Sequence, residues 1–288
     1  MWTEHPSRGV GELDSPLGRN DIALWWLGQA GFALRFRDHY MLIDPYLSDS
    51  LAVKYAGTEF PHVRMMPPPI VPANVKNLDW CLCTHRHSDH MDPGTLPELA
   101  RQNPRCRFVL PRAEGRHAVE IGVPATHRIL LDDGDRFEPV ADVSILAVAS
   151  AHETLERDTD GLCRFLGYVI RLGRVTLYHS GDCVPYDGLA ERLRVTGVQV
   201  ALLPVNGRDE CRRSGGIPGN FNLHEALRLR RQAGIRYLVV HHFGMFDFNT
   251  VDPQTLRSRI REMGLEDVCF VPEAGRAMRL SPQSVGAP

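Results

Sequence analysis

The stretch Thr84-His85-Arg86-His87-Ser88-Asp89-His90 places three imidazoles and a carboxylate within six consecutive residues. It directly follows the apolar run at residues 78–83. Imidazole nitrogen and carboxylate oxygen are ligands that suit zinc, iron or manganese. Four such groups are costly to desolvate together unless a cation satisfies them. The stretch therefore predicts a metal site rather than a solvated, histidine-rich turn.

Composition and charge exclude several classes of protein. The chain has 288 residues, of which 43% are hydrophobic and 24% charged, and a formal net charge of -2. This balance gives no basic field to attract nucleic acid or an anionic membrane. No apolar run reaches the ~18–20 residues of a membrane span, and the N-terminus does not read as a signal peptide. We therefore expect a cytoplasmic enzyme with a small-molecule substrate. A homo-oligomeric state is compatible with this composition.

The seven cysteines are odd in number and scattered along the chain. Without a secretion signal they indicate reduced thiols, most of them small core residues. Cys81 and Cys83 are one residue apart, which is not the spacing of a zinc knuckle.

Short apolar runs bounded by turn residues predict strands at residues 22–27, 32–36, 40–43, 80–84, 107–110, 143–149, 167–172, 175–179, 200–204, 237–241 and 268–271. Helical patterns lie between them at residues 93–101, 113–121, 187–194, 223–233 and 253–263. A run of strands followed by alternating strands and helices favours a sheet-rich α/β protein with helices packed outside. No repeat or low-complexity linker divides the chain, so we expect a single domain over residues 1–288.

Three later positions can complete the metal site because each follows a predicted strand. His152 follows the strand at 143–149, Asp182 follows the strand at 175–179, and His241 and His242 follow the buried run at 237–240. Gly181 lets the backbone turn tightly, so the next carboxylate can project from the strand end. Open α/β sheets gather ligands at such ends. Other histidines are predicted to be surface or structural residues, at positions 5, 39, 62, 117, 127 and 224.

The spacing also indicates how the ligands divide. Alternate residues of an extended segment point the same way, so His85 and His87 can reach one ion. Asp89 and His90 follow where the chain turns toward the next helix, so they can face a second ion, and two ions need a bridging group. His179 alternates with Gly181 and points away from Asp182, so we predict that it is a core or supporting group.

In combination, these residues resemble the metallo-β-lactamase superfamily. The motif from His85 to His90, with His152, Asp182 and a late histidine, is similar to its ligand pattern. The resemblance is closer to one branch, the L-ascorbate-6-phosphate lactonase-like proteins. Further blocks that look like this branch lie at residues 27–32, 42–48, 67–70, 179–182, 203–209, 219–222 and 242–246. The similarity extends from about residue 22 to about residue 275.

The resemblance implies an αββα sandwich, in which two mixed β-sheets are flanked by helices. It implies a cytoplasmic, metal-dependent hydrolase of carbohydrate metabolism that opens a phosphorylated sugar lactone with two divalent ions, manganese or zinc. It assigns His242, rather than His241, as the last ligand. Asp182 resembles the bridging carboxylate of dinuclear branches, and the neighbouring Cys183 is not expected to be a ligand.

The resulting hypothesis assigns seven ligands. One ion would be held by His85, His87 and His152, and the other by Asp89, His90 and His242. Asp182 and a hydroxide would bridge them. Two cations lower the pKa of a shared water toward neutrality, which supplies a nucleophile for the lactone carbonyl. Asp89 would also orient that nucleophile and accept its proton, so Asp89 and Asp182 are the predicted catalytic residues.

A phosphorylated substrate needs an anion-binding group. Arg208, Arg212 and Arg213 cluster after the strand at 200–204, and Asn220 follows them. Guanidinium groups and nearby backbone amides could bind phosphate there. The alternative is a solvated, flexible basic loop.

A second open choice concerns the Pro-rich stretch at residues 64–72, which is either a wall of the pocket or a surface crossover.

Two other functions fit the same ligands. A phosphodiesterase acting on a small cyclic phosphate or phosphodiester is the main alternative, because the ligand set does not separate a carbonyl from a phosphoryl electrophile. The neutral charge disfavours a polymeric RNA substrate. A non-catalytic metal-binding protein is the other alternative, and the presence of all seven ligand positions argues against it.

Overall fold

The computed structural model describes residues 3–5, 9–11 and 17–281. Two mixed β-sheets pack face to face, with helices on their outer sides, as the sequence predicts. The helices are α1 (Ser50–Lys54), α2 (Leu96–Gln102), α3 (Gly115–Glu120), α4 (Leu189–Val195), α5 (Glu210–Ser214), α6 (Leu223–Gln232) and α7 (Pro253–Glu262). None of these described helices has the length and apolar character needed to cross a bilayer.

The first sheet has the strand order β1-β15-β2-β3-β4-β5-β6-β7. Its strands β2, β3 and β4 pair antiparallel, whereas β4 to β7 run parallel. The bounds are β1 (Thr3–His5), β2 (Ile22–Gly28), β3 (Gly31–Phe36), β4 (His39–Ile43), β5 (Trp80–Leu82), β6 (Arg107–Pro111), β7 (Arg128–Leu131) and β15 (Ala277–Leu280).

The second sheet has the strand order β14-β13-β12-β11-β10-β9-β8. Strands β11 to β14 run parallel, and β8 to β11 pair antiparallel, so β9 points the same way as β11. The bounds are β8 (Arg136–Val140), β9 (Val143–Ala149), β10 (Leu166–Leu172), β11 (Val175–His179), β12 (Val200–Pro204), β13 (Tyr237–His241) and β14 (Cys269–Phe270).

The central strands are buried on both faces. In β2, Leu24 and Trp26 point into the core between the sheets, whereas Trp25 and Leu27 pack under α2 with residues such as Leu99. Strands covered on both sides have continuous apolar sequences instead of alternating ones. This is why unbroken apolar runs predict the central strands correctly.

The two longest helices begin where their capping residues predict. The Asn222 side chain accepts a hydrogen bond from the Glu225 amide, and the Glu225 carboxylate accepts one from the Asn222 amide. This reciprocal pair is a capping box. At the start of α7, the Asp252 carboxylate accepts from the Thr255 amide, and Pro253 occupies the first turn.

The elements that the sequence analysis did not predict are peripheral or short. Strand β8 contains Pro139 and alternates between exposed and half-buried residues. Among the described residues, β1 lies at one edge of the first sheet beside β15, and β7 lies at the far edge of the same sheet. Helices α1 and α5 have five residues each. The predicted strand at 80–84 ends at Leu82, because Thr84 turns to bond Asp44.

Candidate metal centre

The structure brings the seven predicted ligand residues together at one edge of the sandwich. They follow the ends of β5, β9, β11 and β13. A hydrogen bond from the Leu166 amide to the Thr84 carbonyl joins the β5 end of the first sheet to the second sheet. The histidine motif of the first sheet therefore meets the ligands that the second sheet supplies.

Three overlapping groups of possible ligand atoms form this centre, and the atoms of each group lie within 4.8 Å of one another. The first group is His85, His87 and His152, and the second is Asp89, His90 and His242. These are the two sets that the sequence analysis assigns to separate ions. A third group, His85, His90 and Asp182, connects them.

A tight turn makes this division possible. The amides of His90 and Met91 both donate to the His87 carbonyl, at 2.9 and 2.8 Å. The backbone thereby reverses after His87 and carries Asp89 and His90 to the other side of the centre.

Asp182 lies between the two groups. One carboxylate oxygen, Oδ2, is 3.5 Å from His152 Nε2 in the first group. The other, Oδ1, is 3.4 Å from His90 Nε2 and 3.2 Å from His242 Nε2 in the second group. A carboxylate with one oxygen toward each group has the geometry that a bridging ligand requires.

The separations fit a cation better than direct hydrogen bonds. Zinc ligands stand ~2.0–2.2 Å from the ion, so two tetrahedral ligands lie about 3.3–3.6 Å apart. The contacts of Asp182 fall at 3.2 to 3.5 Å, and His90 Nε2 is 3.7 Å from Asp89 Oδ2. Buried atoms without a hydrogen-bond partner include His85 Nε2, His90 Nε2 and Asp182 Oδ1. Buried polar atoms are rarely left unpaired, and a divalent cation would satisfy these.

Asp44 fixes the orientation of the motif. Its buried carboxylate accepts hydrogen bonds from the Thr84 amide at 2.8 Å and the Thr84 hydroxyl at 2.7 Å. It also lies 2.7 Å from His90 Nδ1. A proton held on Nδ1 by this carboxylate leaves Nε2 of His90 as the metal-facing atom.

His179 and His241 pack together beneath the centre. Their rings are stacked at 5.0 Å and both are fully buried. His179 Nε2 is 2.8 Å from the Ala30 carbonyl, and its Nδ1 accepts from the Gly181 amide. His179 is therefore a supporting group, and His242, not His241, joins the ligand groups.

Burial keeps several of the imidazoles neutral. Desolvation lowers the pKa of His85 well below its usual range, and the neighbouring His90 and His87 lower it further. Burial also lowers the pKa of His87, and it lowers that of His152 to about 4. Neutral imidazoles offer the lone pairs that metal binding needs.

The carboxylates carry negative charge into the same buried space. Burial alone would raise the pKa of Asp182, but His242 and His90 outweigh it and hold that pKa well below the usual range. Burial disfavours a proton on His90, yet Asp182, Asp44 and Asp89 together raise its pKa well above normal. Charges that favour a proton at this position also favour a cation.

Cys183 follows Asp182 but does not face the centre. It is buried in the core between the sheets, and burial raises the pKa of its thiol to about 11. It therefore stays a neutral thiol, as the sequence analysis expects.

The ligand groups open into a cavity of about 870 Å³. Its floor includes His87, Asp89, His152, Asp182 and His242. Aromatic and basic side chains contributed by several loops surround this floor, and they include Tyr55, Phe60, His62, Phe165, Lys54, Arg86, Arg164 and His117. The space suits a small molecule that carries both polar and apolar parts.

The side chains of the predicted anion-binding residues do not line this cavity. Arg208 forms a two-fold ion pair with Glu225, with nitrogen–oxygen distances of 2.7 and 2.8 Å. The Asn220 side chain is buried, where it accepts from the Cys183 amide and donates to Asn206. Asn220 thus holds the loop that carries Asp182.

The other two arginines are also engaged inside their own segment. Arg212 Nε donates to the Asp209 carboxylate at 2.6 Å, and its Nη1 donates to the Asn249 side chain at 2.9 Å. Arg213 pairs with Glu210 at 2.9 Å. The segment contains the short helix α5 in place of a flexible basic loop, and these acidic partners occupy the guanidinium groups.

Sequence analysis missed the residues that surround the cavity. His62, predicted to be surface or structural, stacks on Tyr55 at 4.2 Å, and its Nδ1 lies 2.7 Å from the Phe60 carbonyl. The nearby aromatic residues Tyr55 and Phe60 are a sequence signal that could have marked this segment as part of a binding cavity. The Pro-rich stretch at 64–72 does not line the cavity. Its Arg64 lies over the ring of Tyr46 instead.

Comparison with known proteins agrees with this architecture. The family model described as "Beta-lactamase superfamily domain" matches residues 39–243. A protein of Myxococcus xanthus named as a metal-dependent hydrolase is 26% identical over 271 residues, covering 91% of this chain and 84% of that protein. One of Rubrobacter xylanophilus with the same description is 25% identical, covering 88% of this chain and 94% of that protein.

Solved structures share the fold at low sequence identity. An isothiocyanate hydrolase from Delia radicum gut bacteria has a TM-score of 0.74 and 19% identity, covering 90% of this chain and 99% of its own. A possible metal-dependent hydrolase of Veillonella parvula has a TM-score of 0.71 and 16% identity, covering 88% and 98%. The family match spans most of the chain and the two-sheet fold agrees with it, so the chain belongs to the metallo-beta-lactamase superfamily.

Proposed function

We propose that this protein, a metal-dependent hydrolase of the superfamily, opens the ester bond of a small anionic lactone. A phosphorylated sugar lactone is the preferred substrate class, as in the L-ascorbate-6-phosphate lactonase-like branch. The observation that carries the proposal is the position of Asp182, with one oxygen toward each ligand group at the floor of the cavity.

The donor set fits two divalent ions, manganese or zinc. His85, His87 and His152 would hold one ion, Asp89, His90 and His242 the other, and Asp182 would bridge them. Such ions lower the pKa of a bound water toward neutrality and polarise a carbonyl oxygen. The protein then has to hold the lactone over the floor of the cavity and to accept one proton.

Asp89 is the proposed proton acceptor. Its side chain is 15% exposed, so it reaches the cavity, whereas Asp182 is 6% exposed. One of its oxygens, Oδ2, faces His90 and His242 at 3.7 and 3.9 Å, which leaves the other for the attacking water. A carboxylate fixed beside the nucleophile can orient it and take its proton.

Basic residues of the cavity support an anionic substrate. Lys54 and Arg86 are exposed, and neither has an ion pair within the part of the chain that the structure describes. Arg164 contacts the buried carboxylate of Glu114 at 3.3 Å, which orients its guanidinium. We propose that these three side chains replace the Arg208 segment as the anion-binding group.

A substrate panel tests the proposal. Protein loaded with manganese or zinc would be assayed on a phosphorylated sugar lactone, the same lactone without phosphate, a phosphodiester and an isothiocyanate. We expect the phosphorylated lactone to be hydrolysed fastest. Asp182→Ala should lose about 100-fold or more of the rate together with bound metal, whereas Asp187→Ala, at an exposed position, should lose neither. Turnover confined to the phosphodiester would establish the alternative function.

The proposed anion-binding group needs its own variants. Arg86→Ala should raise KM for the phosphorylated lactone by about 10-fold and leave KM for the unphosphorylated lactone unchanged, since one charge-assisted contact is worth about 1.5 kcal/mol or more. Arg208→Ala serves as the control, because its guanidinium is paired with Glu225. An equal rise in KM for both lactones would show that Arg86 does not bind the anionic group.

A further inference from the structure

Gln29 is a buried residue of the turn between β2 and β3 that touches the metal centre. Its backbone has φ +50°, in the left-handed region that residues other than glycine rarely adopt. Two hydrogen bonds hold its carbonyl there, from the Trp26 indole and from the His242 amide, both at 2.9 Å. The strained turn therefore ties the position of Gln29 to that of His242.

The Gln29 side chain reaches two members of one ligand group. Its Nε2 is 2.8 Å from Asp89 Oδ2 and 3.0 Å from His242 Nε2. Its Oε1 is buried without a hydrogen-bond partner. The residue is completely inaccessible to solvent, so water does not explain the unpaired oxygen.

This arrangement does not suit an ion bound by Asp89, His90 and His242. The lone pair of His242 Nε2 cannot face both an amide hydrogen of Gln29 and a cation. Rotation of the amide by 180° exchanges its oxygen and nitrogen with almost no change in shape. The oxygen would then stand beside Asp89 Oδ2 and His242 Nε2, a contact that is repulsive without a cation and favourable with one.

We propose that Gln29 supplies its amide oxygen as a further ligand to the ion held by Asp89, His90 and His242. The inference rests on the two-ion site proposed above. It widens the chemical difference between the two sites, because the group of His85, His87 and His152 offers three nitrogens and shares an oxygen only through Asp182. A site richer in oxygen favours manganese relative to zinc, and a site richer in imidazole nitrogen favours zinc.

Metal binding to variants of Gln29 tests this role without an activity assay. Gln29→Met removes the oxygen at similar length, and Gln29→Glu keeps an oxygen donor in the same place. Gln254→Met, on the exposed surface of α7, is the control for the substitution itself. Each protein would be equilibrated with graded free manganese or zinc, and ions per chain measured by elemental analysis, with circular dichroism to verify folding.

We expect the wild type and the Gln254→Met variant to bind two ions. Gln29→Met should bind one ion with unchanged affinity and the other at least about 10-fold more weakly, with the larger loss for manganese. Gln29→Glu should bind both ions at least as tightly as the wild type. If Gln29→Met does not fold, Gln29→Asn replaces it, because its amide is one methylene too short to reach the ion.

Two results would overturn the inference. Two ions bound normally by Gln29→Met would show that the oxygen is not a ligand. Loss of an ion by Gln29→Glu as well would mean that the amide acts only as a hydrogen-bond donor to Asp89, since a glutamate would repel that carboxylate. A wild-type protein that binds fewer than two ions would instead defeat the two-ion proposal itself.

Discussion

Gly181 shows how one residue sets the position of a ligand. Its φ is +59°, and a Cβ added to it would lie 2.6 Å from both Cβ and Oγ1 of Thr84. Thr84 belongs to the motif segment of the other sheet, and Asp182 follows Gly181. The absence of a side chain therefore allows the two ligand segments to approach each other.

Substitution at this position should be more harmful than at another glycine of similar conformation. Gly234 has φ +69°, but nothing lies within 4 Å of a Cβ there. We expect Gly234→Ala to cost about 1 kcal/mol of unfolding free energy from backbone strain, and Gly181→Ala to cost about 1–3 kcal/mol more from the clash. Urea denaturation of both variants measures the difference, and equal losses would contradict the role of the close approach.

At this scale, the sequence indicates which residues form the candidate ligand groups but not which residues line the cavity around them. The candidate ligands are recognisable because His85 to His90 have a compact spacing and the later members each follow a buried strand. Arg86, Lys54 and Arg164 come from separate loops, and no local pattern shows that they share a cavity. Arg208 has a suitable charge, but its partner Glu225 is seventeen positions away, and only the fold brings them together.

At the scale of elements, Asp133 holds the end of β9, the strand that precedes His152, by a hydrogen bond. Its carboxylate accepts from the Ala149 amide at the end of β9, at 2.8 Å, and from both terminal nitrogens of Arg192 on α4, at 2.6 and 3.1 Å. Its side chain is 23% exposed and that of Arg192 is 37% exposed. One carboxylate thus joins a strand end, a turn and a helix beside the metal centre.

The stabilisation from Asp133 should depend on pH. Burial opposes its ionisation, but the bonds from Arg192 and Ala149 outweigh it and lower its pKa in the folded state. A carboxylate whose pKa is lowered on folding stabilises the fold fully at pH values above its unfolded-state pKa of about 3.9. This stabilisation is lost as the pH falls through the folded-state pKa. After allowance for solvent screening, Asp133→Asn should cost about 1 kcal/mol at pH 7.

Urea denaturation from pH 7 to pH 3 measures this loss. The difference between Asp133→Asn and the wild type should stay constant down to about pH 5 and shrink below about pH 4. Asp187→Asn, an exposed position near α4, should show little difference at any pH. A difference that persists unchanged at pH 3 would mean that the carboxylate charge is not its source.

The longer buried strands are the best predicted elements, whereas the buried but four-residue β15 is not predicted. Strands β9, β11, β12 and β13 have the predicted bounds, because both faces are covered and the sequence is continuously apolar. Strands β7 and β8 are partly exposed at sheet edges, so their composition resembles that of loops. Their pairing with neighbours, not their own sequence, makes them strands.

At the scale of the whole molecule, the candidate metal centre lies where the two sheets meet. His85 to His90 follow a strand of the first sheet, whereas His152, Asp182 and His242 follow strands of the second. Ions bound by both sets would therefore have no complete site once the sheets separate. Because ions would bind the folded protein and not the unfolded chain, they would stabilise the folded state by mass action.

Metal removal should consequently lower the melting temperature of the whole protein. At a free metal concentration 100 times Kd, one site adds about 2.7 kcal/mol, which for a chain of this length raises Tm by roughly 4–5 °C. Differential scanning calorimetry with a chelator and with graded zinc or manganese measures the shift. Asp182→Asn should reduce it, because Asp182 contacts both ligand groups. A Tm independent of metal concentration in the wild type would show that the ions do not link the two sheets in the folded state.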